Sequence, residues 1–506
     1  MKSRLLNYFA IVTLSIGLMA PAQLAAQDAG VGKQEHHHYQ LIDMGTFGGP
    51  QSRIDYAVPL NNGGMVTGSA DTAEANPYYG NDNPTFFTDP YIEHTFGWRN
   101  GALTDLGSLP GGGVSLPNCM NERGDAAGNA SNSVIDPMGG WPESRAVLYK
   151  NGQIFDLGAL NGGSESAATC INSHDIVVGF AGDTVPDPFS LSGWGTQTHA
   201  FRWTESEGMQ DLGSLGGPDA IPFVVNGKGQ ITGFSYTNSI PNSTTGLPTL
   251  DPFLWENGSM KDLGGLGGTA SDLSEGQDMN NRGQVVGNSN LPGDIYAHPF
   301  IWTKPGPMQD LGTLGGNYGS ATRIDDNGEI VGWATTSGDQ NSYAFYWKDQ
   351  TMTNLGTVGG DSCSIAWFVR KGQAVGASSD CGPNYLHAFL WERGSIVDLN
   401  TLVPPGSGAQ LTDADYINEG GEITASGVLP NGDNHAFLLI PCDEHHPGIE
   451  GCDYSMVDAS AATSFRPTPR EVPGNILPLV HSHRNNRPLL PALGPAWHSQ
   501  TREGNQ

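Results

Sequence analysis

"DPFLWENGSMKDLGGLGG" (residues 251–268) holds a Trp, several acidic residues and a run of glycines, the ingredients of a binding loop, yet it recurs in variant form along the chain. Three phrases alternate in a fixed order. One is D-L-G-x-L-G-G, as in "FDLGALNGG" (155–163), "QDLGSLGG" (210–217) and "QDLGTLGG" (309–316). The second is I-N-x-x-G-x-V-V-G, as in "INSHDIVVG" (171–179), "VNGKGQITG" (225–233) and "MNNRGQVVG" (279–287). The third is H-A-F-x-W, as in "HAFRW" (199–203), "HPFIW" (298–302) and "HAFLW" (387–391). Counting degenerate copies, each occurs eight times, which marks a building unit and not a site.

Each phrase translates into local structure. Apolar residues, then N-x-x-G, then V-V-G predict two strands joined by a tight turn, with Asn and Gly supplying left-handed backbone angles. H-A-F-x-W runs through a turn such as Asn257-Gly258 into D-L-G, a second hairpin, so one repeat is four strands. Glycine at 71 of 506 residues and a charged fraction of only 15% suit short strands and tight turns better than helices. The array begins in mid-hairpin with "YQLIDMG" at Tyr39 and ends in mid-hairpin with "HAFLLIP" at Pro441. Those halves complete each other. The expectation is therefore an all-β fold over 39–441: an eight-bladed β-propeller of four-stranded blades, its ring closed by pairing of the N- and C-terminal strands, with an open solenoid as the competitor.

The three phrases, repeated in order, resemble the HAF family of bacterial extracellular repeat proteins, over residues 39 to about 441. The resemblance implies export and a repeat array, and it carries no catalytic residues. Two copies depart from the pattern: "RAVLY" (145–149), and Asp251-Pro252 where His-Ala is usual.

Lys2 and Arg4, an apolar run from Leu5 to Ala20 and small residues after it predict a signal peptide over 1–26. Residues 27–38 read as a flexible, His-containing linker, 442–460 as a short extension closed by a disulfide, and 461–506, rich in Pro and Arg, as a disordered tail. No later stretch approaches the ~20 apolar residues of a membrane span. The mature chain is expected to be soluble, monomeric and extracellular or periplasmic. Six cysteines then point to disulfides, with many connectivities open. Cys442 and Cys452 close a short loop, Cys363 and Cys381 flank one hairpin, and Cys119 and Cys170 are left at equivalent places in neighbouring repeats.

A net charge of −29 argues against nucleic-acid or anionic-lipid partners. Motifs for a serine nucleophile, a zinc protease or a phosphate loop are missing, and no cofactor or metal is expected. "EHHHYQ" (35–40) and "CDEHHPGIEGC" (442–452) group His with carboxylates but lack two-His spacing on a regular element. The repeated Asp (Asp43, Asp105, Asp156, Asp211, Asp262, Asp310, Asp398) reads as a turn acceptor, and the repeated His (His94, His199, His298, His387, His435) as a buried bridge between strands.

Loop length breaks the symmetry. From the end of V-V-G to the next Phe position there are 28, 19, 22 and 20 residues in the first four repeats, then 13, 13, 13 and 12. The long segments concentrate Tyr78, Tyr79, Phe86, Phe87, Tyr91, Trp141, Phe189, Trp194 and Tyr236 with Asp82, Asp89, Asp136, Asp183 and Asp187. Aromatic faces beside carboxylates suit a glycan or a protein surface; packing of the loops into a roof is the competing reading. The function expected is a non-catalytic binding module recognising an extracellular ligand through these loops. The alternative is a secreted lyase or glycosidase using the loop carboxylates as acid and base.

Overall fold

The computed structural model describes residues 35–54, 57–160, 162–269, 277–382 and 385–458, and the signal peptide and tail expected from the sequence lie outside them. The described chain is strand and turn, with one single-turn 3-10 helix at Leu399–Thr401. Strands follow one another as four-stranded antiparallel units in which the N-x-x-G hairpin supplies strands one and two, H-A-F-x-W strand three and D-L-G strand four. The third unit is representative: Ser166–Ile171, Val177–Pro186, Thr196–Thr204 and Gly208–Gly213. Units five and six are fused into one eight-stranded sheet by a single parallel bridge, Ala297 to Tyr318.

The eighth unit is assembled from both ends of the array. Gln410–Ile417, Ile423–Val428 and Asn434–Pro441 are completed by Tyr39–Asp43, in register from Tyr39 opposite Pro441 to Asp43 opposite Phe437. Just upstream, Glu35–His37 pairs with Met456–Asp458. That corrects the expected flexible linker at its last residues: His36 is buried, and its Nδ1 lies 2.8 Å from Glu392 Oε1, which anchors the segment.

One repeat position explains the tightness of each sheet. The Gly ending V-V-G stands in register with the Phe of H-A-F: Gly179 with Phe201, Gly233 with Phe253, Gly332 with Phe345, Gly376 with Phe389. The Phe is buried in every case. Strand one bulges beside the glycine, between Ala321 and Arg323 in the sixth unit, and its carbonyl closes over the missing side chain. A methyl at Gly332 would lie 2.0 Å from the Ser320 carbonyl oxygen. In the eighth unit Ala425 takes this place, opposite Phe437, and strand one accommodates it with two register shifts instead of one.

A belt of asparagines joins the units at their N-x-x-G turns. Within its own turn, Asn226 Oδ1 accepts the Lys228 and Gln230 N–H groups, while Nδ2 donates to the Asn280 carbonyl of the next unit at 3.2 Å. Asn121 donates likewise to Asn172 (3.3 Å), Asn172 to Asn226 (2.9 Å) and Asn280 to Asp325 (3.0 Å). Asn418 of the last unit donates to Asn61 of the first at 3.1 Å. All of these side chains are buried.

Disulfides pair Cys119 with Cys170, Cys363 with Cys381, and Cys442 with Cys452. The first links strand one of unit two to strand one of unit three. Beside it, Ala57 donates its N–H to Asn118 O of unit two, and its carbonyl accepts from Arg323 Nη2 of unit six at 2.9 Å.

Two sets of substitutions test these joints by thermal or chemical melting. Gly332→Ala is expected to lose about 1–3 kcal/mol through overpacking, whereas Ala425→Gly loses under about 1 kcal/mol. Asn226→Ala should lose about 3 kcal/mol by stranding buried N–H groups, and Asn226→Asp, which keeps the acceptor but sets a buried carboxylate against the Asn280 carbonyl and Gln230 Oε1, a comparable amount.

Candidate functional site

In each antiparallel unit the connection from strand two to strand three leaves from the same end as the D-L-G turn, so the four long connections all stand at one end of their sheets. The second strands of units one to three are extended to carry them: Val66–Ala75, Ala126–Ile135 and Val177–Pro186 are each ten residues long and become exposed over their last three. Beyond them the loops interlock. Asn83, from the first loop, donates to both carboxylate oxygens of Glu165 in unit three at 3.0 Å and accepts from Trp194 Nε1 of the third loop at 3.1 Å. Trp141 Nε1 of the second loop and Ser144 N complete the Glu165 shell at 3.2 and 2.6 Å. Trp194 packs on Phe180, ring centroids 5.2 Å apart. Tyr236 donates its hydroxyl proton to the Phe189 carbonyl.

The sequence-selected residues divide accordingly. Phe86, Phe87, Trp194 and Tyr236 are buried, Tyr91, Trp141 and Phe189 half-buried, and Tyr78 and Tyr79 exposed at 37% and 58%. The carboxylates hold turns: Asp82 accepts from Gly80 N and Asn76 Nδ2, Asp136 from Met138 N and Gly139 N, Asp183 from Val185 N, Asp187 from Phe189 N, and Asp89 from Tyr91 N. Asp82 and Asp183 are half-buried, and Asp89, Asp136 and Asp187 buried. The fourteen residues are thus spread over three interlocked loops and the strands that carry them, most of them facing inward.

Sequence reasoning missed the groups on which the loops rest. Arg53 Nη2 binds Asp89, and its Nη1 binds Glu93 at 3.2 Å, while its guanidinium lies over the Phe87 ring. Asp71 completes this cluster, accepting the Gln51 N–H at 3.0 Å, and all four charged side chains are buried. Burial, reinforced by the charges of Glu93 and Asp89 and opposed by Arg53, pushes the Asp71 carboxyl up to about 8. Glu165 is raised to about 8 by burial against its N–H donors. Asp219 is raised to about 8 by burial, although Leu191 N and Thr198 N both donate to it, at 2.6 and 2.7 Å. A signal for two of them existed. Counting back from the N-x-x-G residue, Glu165 and Asp219 occupy the place held by Val114 and Tyr318 in other units, a carboxylate at the start of an apolar strand.

The repeated Asp behaves as expected, accepting the N–H of the Gly two residues on at 2.7–2.8 Å in Asp43, Asp105, Asp156, Asp211, Asp262 and Asp310; Asn354 substitutes at 2.8 Å. The repeated His bridges to it: His199 Nδ1 to Asp211 at 2.9 Å, His298 to Asp310 at 2.9 Å, His435 to Asp43 at 2.8 Å. The hydrogen bond to Asp211 raises the His199 pKa against the opposing effect of burial. These histidines are half-buried, not buried, because they cap the strand ends. His387 turns instead to Asp361 at 2.9 Å. Among the described residues no three His, Cys, Asp or Glu come together as a metal cluster.

Charge and apolar surface are both segregated. Fifteen Lys and Arg fall among the described residues. Only Arg53 and Arg145 lie at the loop end, and both are committed, Arg145 to Asp156 and the Ser164 carbonyl. Lys261 stacks on Trp302, and the other twelve stand in or within a few residues of the opposite turns. Of thirteen exposed large apolar residues, ten belong to the loop end: Tyr78, Tyr79, Val134, Ile135, Met138, Val185, Ile240, Ile295, Tyr296 and Leu386.

No protein-family model and no curated protein matches the chain. Similar solved structures include the β-propeller domain of the Trilobed protease from Pyrococcus furiosus, at 13% identity over 72% of this chain and 95% of that one, TM-score 0.39. A puromycin-hydrolyzing peptidase of Mycobacterium tuberculosis is 12% identical over 75% of this chain and 58% of its own, TM-score 0.41. A polysaccharide lyase, an ulvan lyase, is 8% identical over 80% of this chain and 95% of its own, TM-score 0.32.

The raised Asp71 pKa has a sign that can be tested. A carboxyl that prefers its proton when folded contributes stability fully below its unfolded pKa of ~4 and loses that contribution as pH rises through about 8. The melting temperature of the native chain is expected to fall between about pH 4 and pH 8, and to fall less in Asp71→Asn, which keeps an acceptor for Gln51 N. Parallel falls would place the titration elsewhere.

Proposed function

We propose that the eight four-stranded units are the blades of one closed β-propeller, an exported binding module of the HAF repeat type that takes a glycan or protein ligand at the loop end of its first four blades. Closure is supported by Tyr39–Asp43 completing the last sheet, by the Asn418-to-Asn61 bond, and by the Ala436 N–H donating to Ser52 Oγ of the first unit at 3.0 Å. The observation that carries the binding reading is the crowding of exposed large apolar side chains onto the loop end: among the described residues ten of thirteen lie there, seven of them on the first four units, and only Phe155, Tyr454 and Met456 lie elsewhere. Tyr78, Tyr79 and Met138 stand at the tips of loops whose bases are locked by Asn83 and Glu165, and Ile240 on a loop held by Asn242 to Leu247 and Thr269, a rigid mount for exposed contact groups.

A catalytic role has less support. An acid–base pair must reach its substrate, yet Asp89, Asp136 and Asp187 are buried and bound to backbone N–H groups of their own turns. Among the described residues, an anionic polysaccharide would also meet only committed guanidinium groups at this end. Export is supported by the basic-then-apolar N-terminus and by three disulfides. Among the described residues no helix is long and apolar enough to cross a membrane.

A glycan-array and polysaccharide-depolymerisation screen tests this reading on the folded chain, on a variant with the four loops cut to the short length, and on Tyr78→Ser/Tyr79→Ser/Ile240→Ser, which alters only exposed tips. The expected outcome is a ligand retained by the native chain, weakened at least tenfold by the triple substitution, and not degraded. Ligand binding indifferent to both variants removes the loop end as the recognition surface, and depolymerisation by the native chain removes the non-catalytic reading.

A further inference from the structure

Among the described residues the loop end is an acidic and apolar surface whose two arginines are both committed, and one segment of the same chain has the opposite character. Residues 35–458 carry 49 Asp and Glu against 15 Lys and Arg, whereas residues 459–506 carry five Arg against two Glu. Within that tail, "RNNRPLLPALGPAW" (484–497) joins two arginines to three leucines and a Trp and contains no carboxylate. From this complementarity we propose that residues 484–497 dock on the loop end of units one and two, covering the exposed Tyr79 and Met138 side chains and placing Arg484 and Arg487 among the loop carboxylates. This inference rests on the loop end being the recognition surface, and it names both the chemistry of a ligand, a cationic aliphatic peptide, and a regulator of that site.

Three observations support this occupant. Charge selects it over a second copy of the folded body, because two loop ends would each present carboxylates such as Glu74, Asp82 and Asp183 with no cation between them. Apolar complementarity adds to charge: Tyr79 and Met138, at 58% and 61% exposure, are side chains that Leu489, Leu490 and Trp497 can cover. Reach permits it. The described residues end at Asp458, beside Glu35–His37 and the turn that follows Glu392, at the end opposite the loops. A ten-residue strand measures ~33 Å, and the stretch from 459 to 484 can extend over ~85 Å, enough to pass around the edge of the body.

Fluorescence anisotropy with a labelled synthetic peptide of residues 484–497 tests the proposal on the full chain and on a chain ending at Asp458, which keeps every described contact. The shortened chain is expected to bind the peptide, several-fold more weakly as NaCl rises from about 50 to 500 mM. Tyr79→Glu/Met138→Glu should weaken it at least tenfold, with an unchanged melting temperature showing that this variant is folded. The full chain, its site already occupied, should bind at least tenfold more weakly at every protein concentration. No binding to the shortened chain, or binding equal in the full chain, overturns the proposal. Occupancy in the full chain that disappears on dilution overturns it in favour of a second copy. The glycan screen repeated on Tyr79→Glu/Met138→Glu separates the two readings: a ligand lost there while the peptide never binds leaves the recognition surface standing and removes only the tail.

Discussion

Most units of this protein are held to the next by a buried amide that does two things at once. The oxygen of the N-x-x-G asparagine shapes its own turn, and the nitrogen reaches a carbonyl one unit further on, so that Asn172, Asn226 and Asn280 cannot form their hairpins without also setting the spacing between sheets. Where the belt loses its donor, charged side chains take over. Asp325 has no side-chain N–H, and there Glu329 receives Gly372 N of the seventh unit at 2.8 Å and Lys348 at 2.8 Å. The seventh unit has Arg370-Lys371 in place of Asn, and both reach Glu419 of the eighth. Ion pairs reinforce some of the asparagine junctions as well, Arg123 and Lys150 of the second unit meeting Asp175 of the third and Lys304 of the fifth meeting Glu256 of the fourth, so salt bears on joints of both kinds.

The sequence made the architecture readable because the features that define it are local and repeated. The turn chemistry of N-x-x-G, the Gly–Phe register and the Asp before Leu-Gly each lie within one hairpin, and eight copies let a degenerate one be read from its neighbours. The half-hairpin at Tyr39 found its complement at Pro441 for the same reason. The cysteines left over in the sequence, Cys119 and Cys170, do pair, across equivalent positions of adjacent repeats.

The loop end was legible only in outline. Unequal loop lengths located it, but which side chains face outward depends on partners that come from other units. Asp187 resembled a surface carboxylate in the sequence and is buried because the third loop folds back over Asp219. Arg53 and Glu93 sit 40 residues apart and meet only through the sheet. A count of loop aromatics could not separate Phe87, which lies beneath Arg53, from Tyr79, which lies in solvent, because the distinction is made by the fold around them.

A sheet made from the two ends of the array also fixes a temporal order. Tyr39–Asp43 is among the first folded segments to be synthesised and Asn434–Pro441 among the last, so its partner edge does not exist for nearly 400 residues of translation. At ~5–20 residues per second that is a wait of about 20 to 80 s, during which a strand bearing Leu41 and Ile42 has an open edge able to pair with the wrong chain. The last hairpin is therefore the step at which a nascent molecule becomes safe from its neighbours, and truncations a few residues before Pro441 should yield aggregates, whereas equally short deletions within a loop should not.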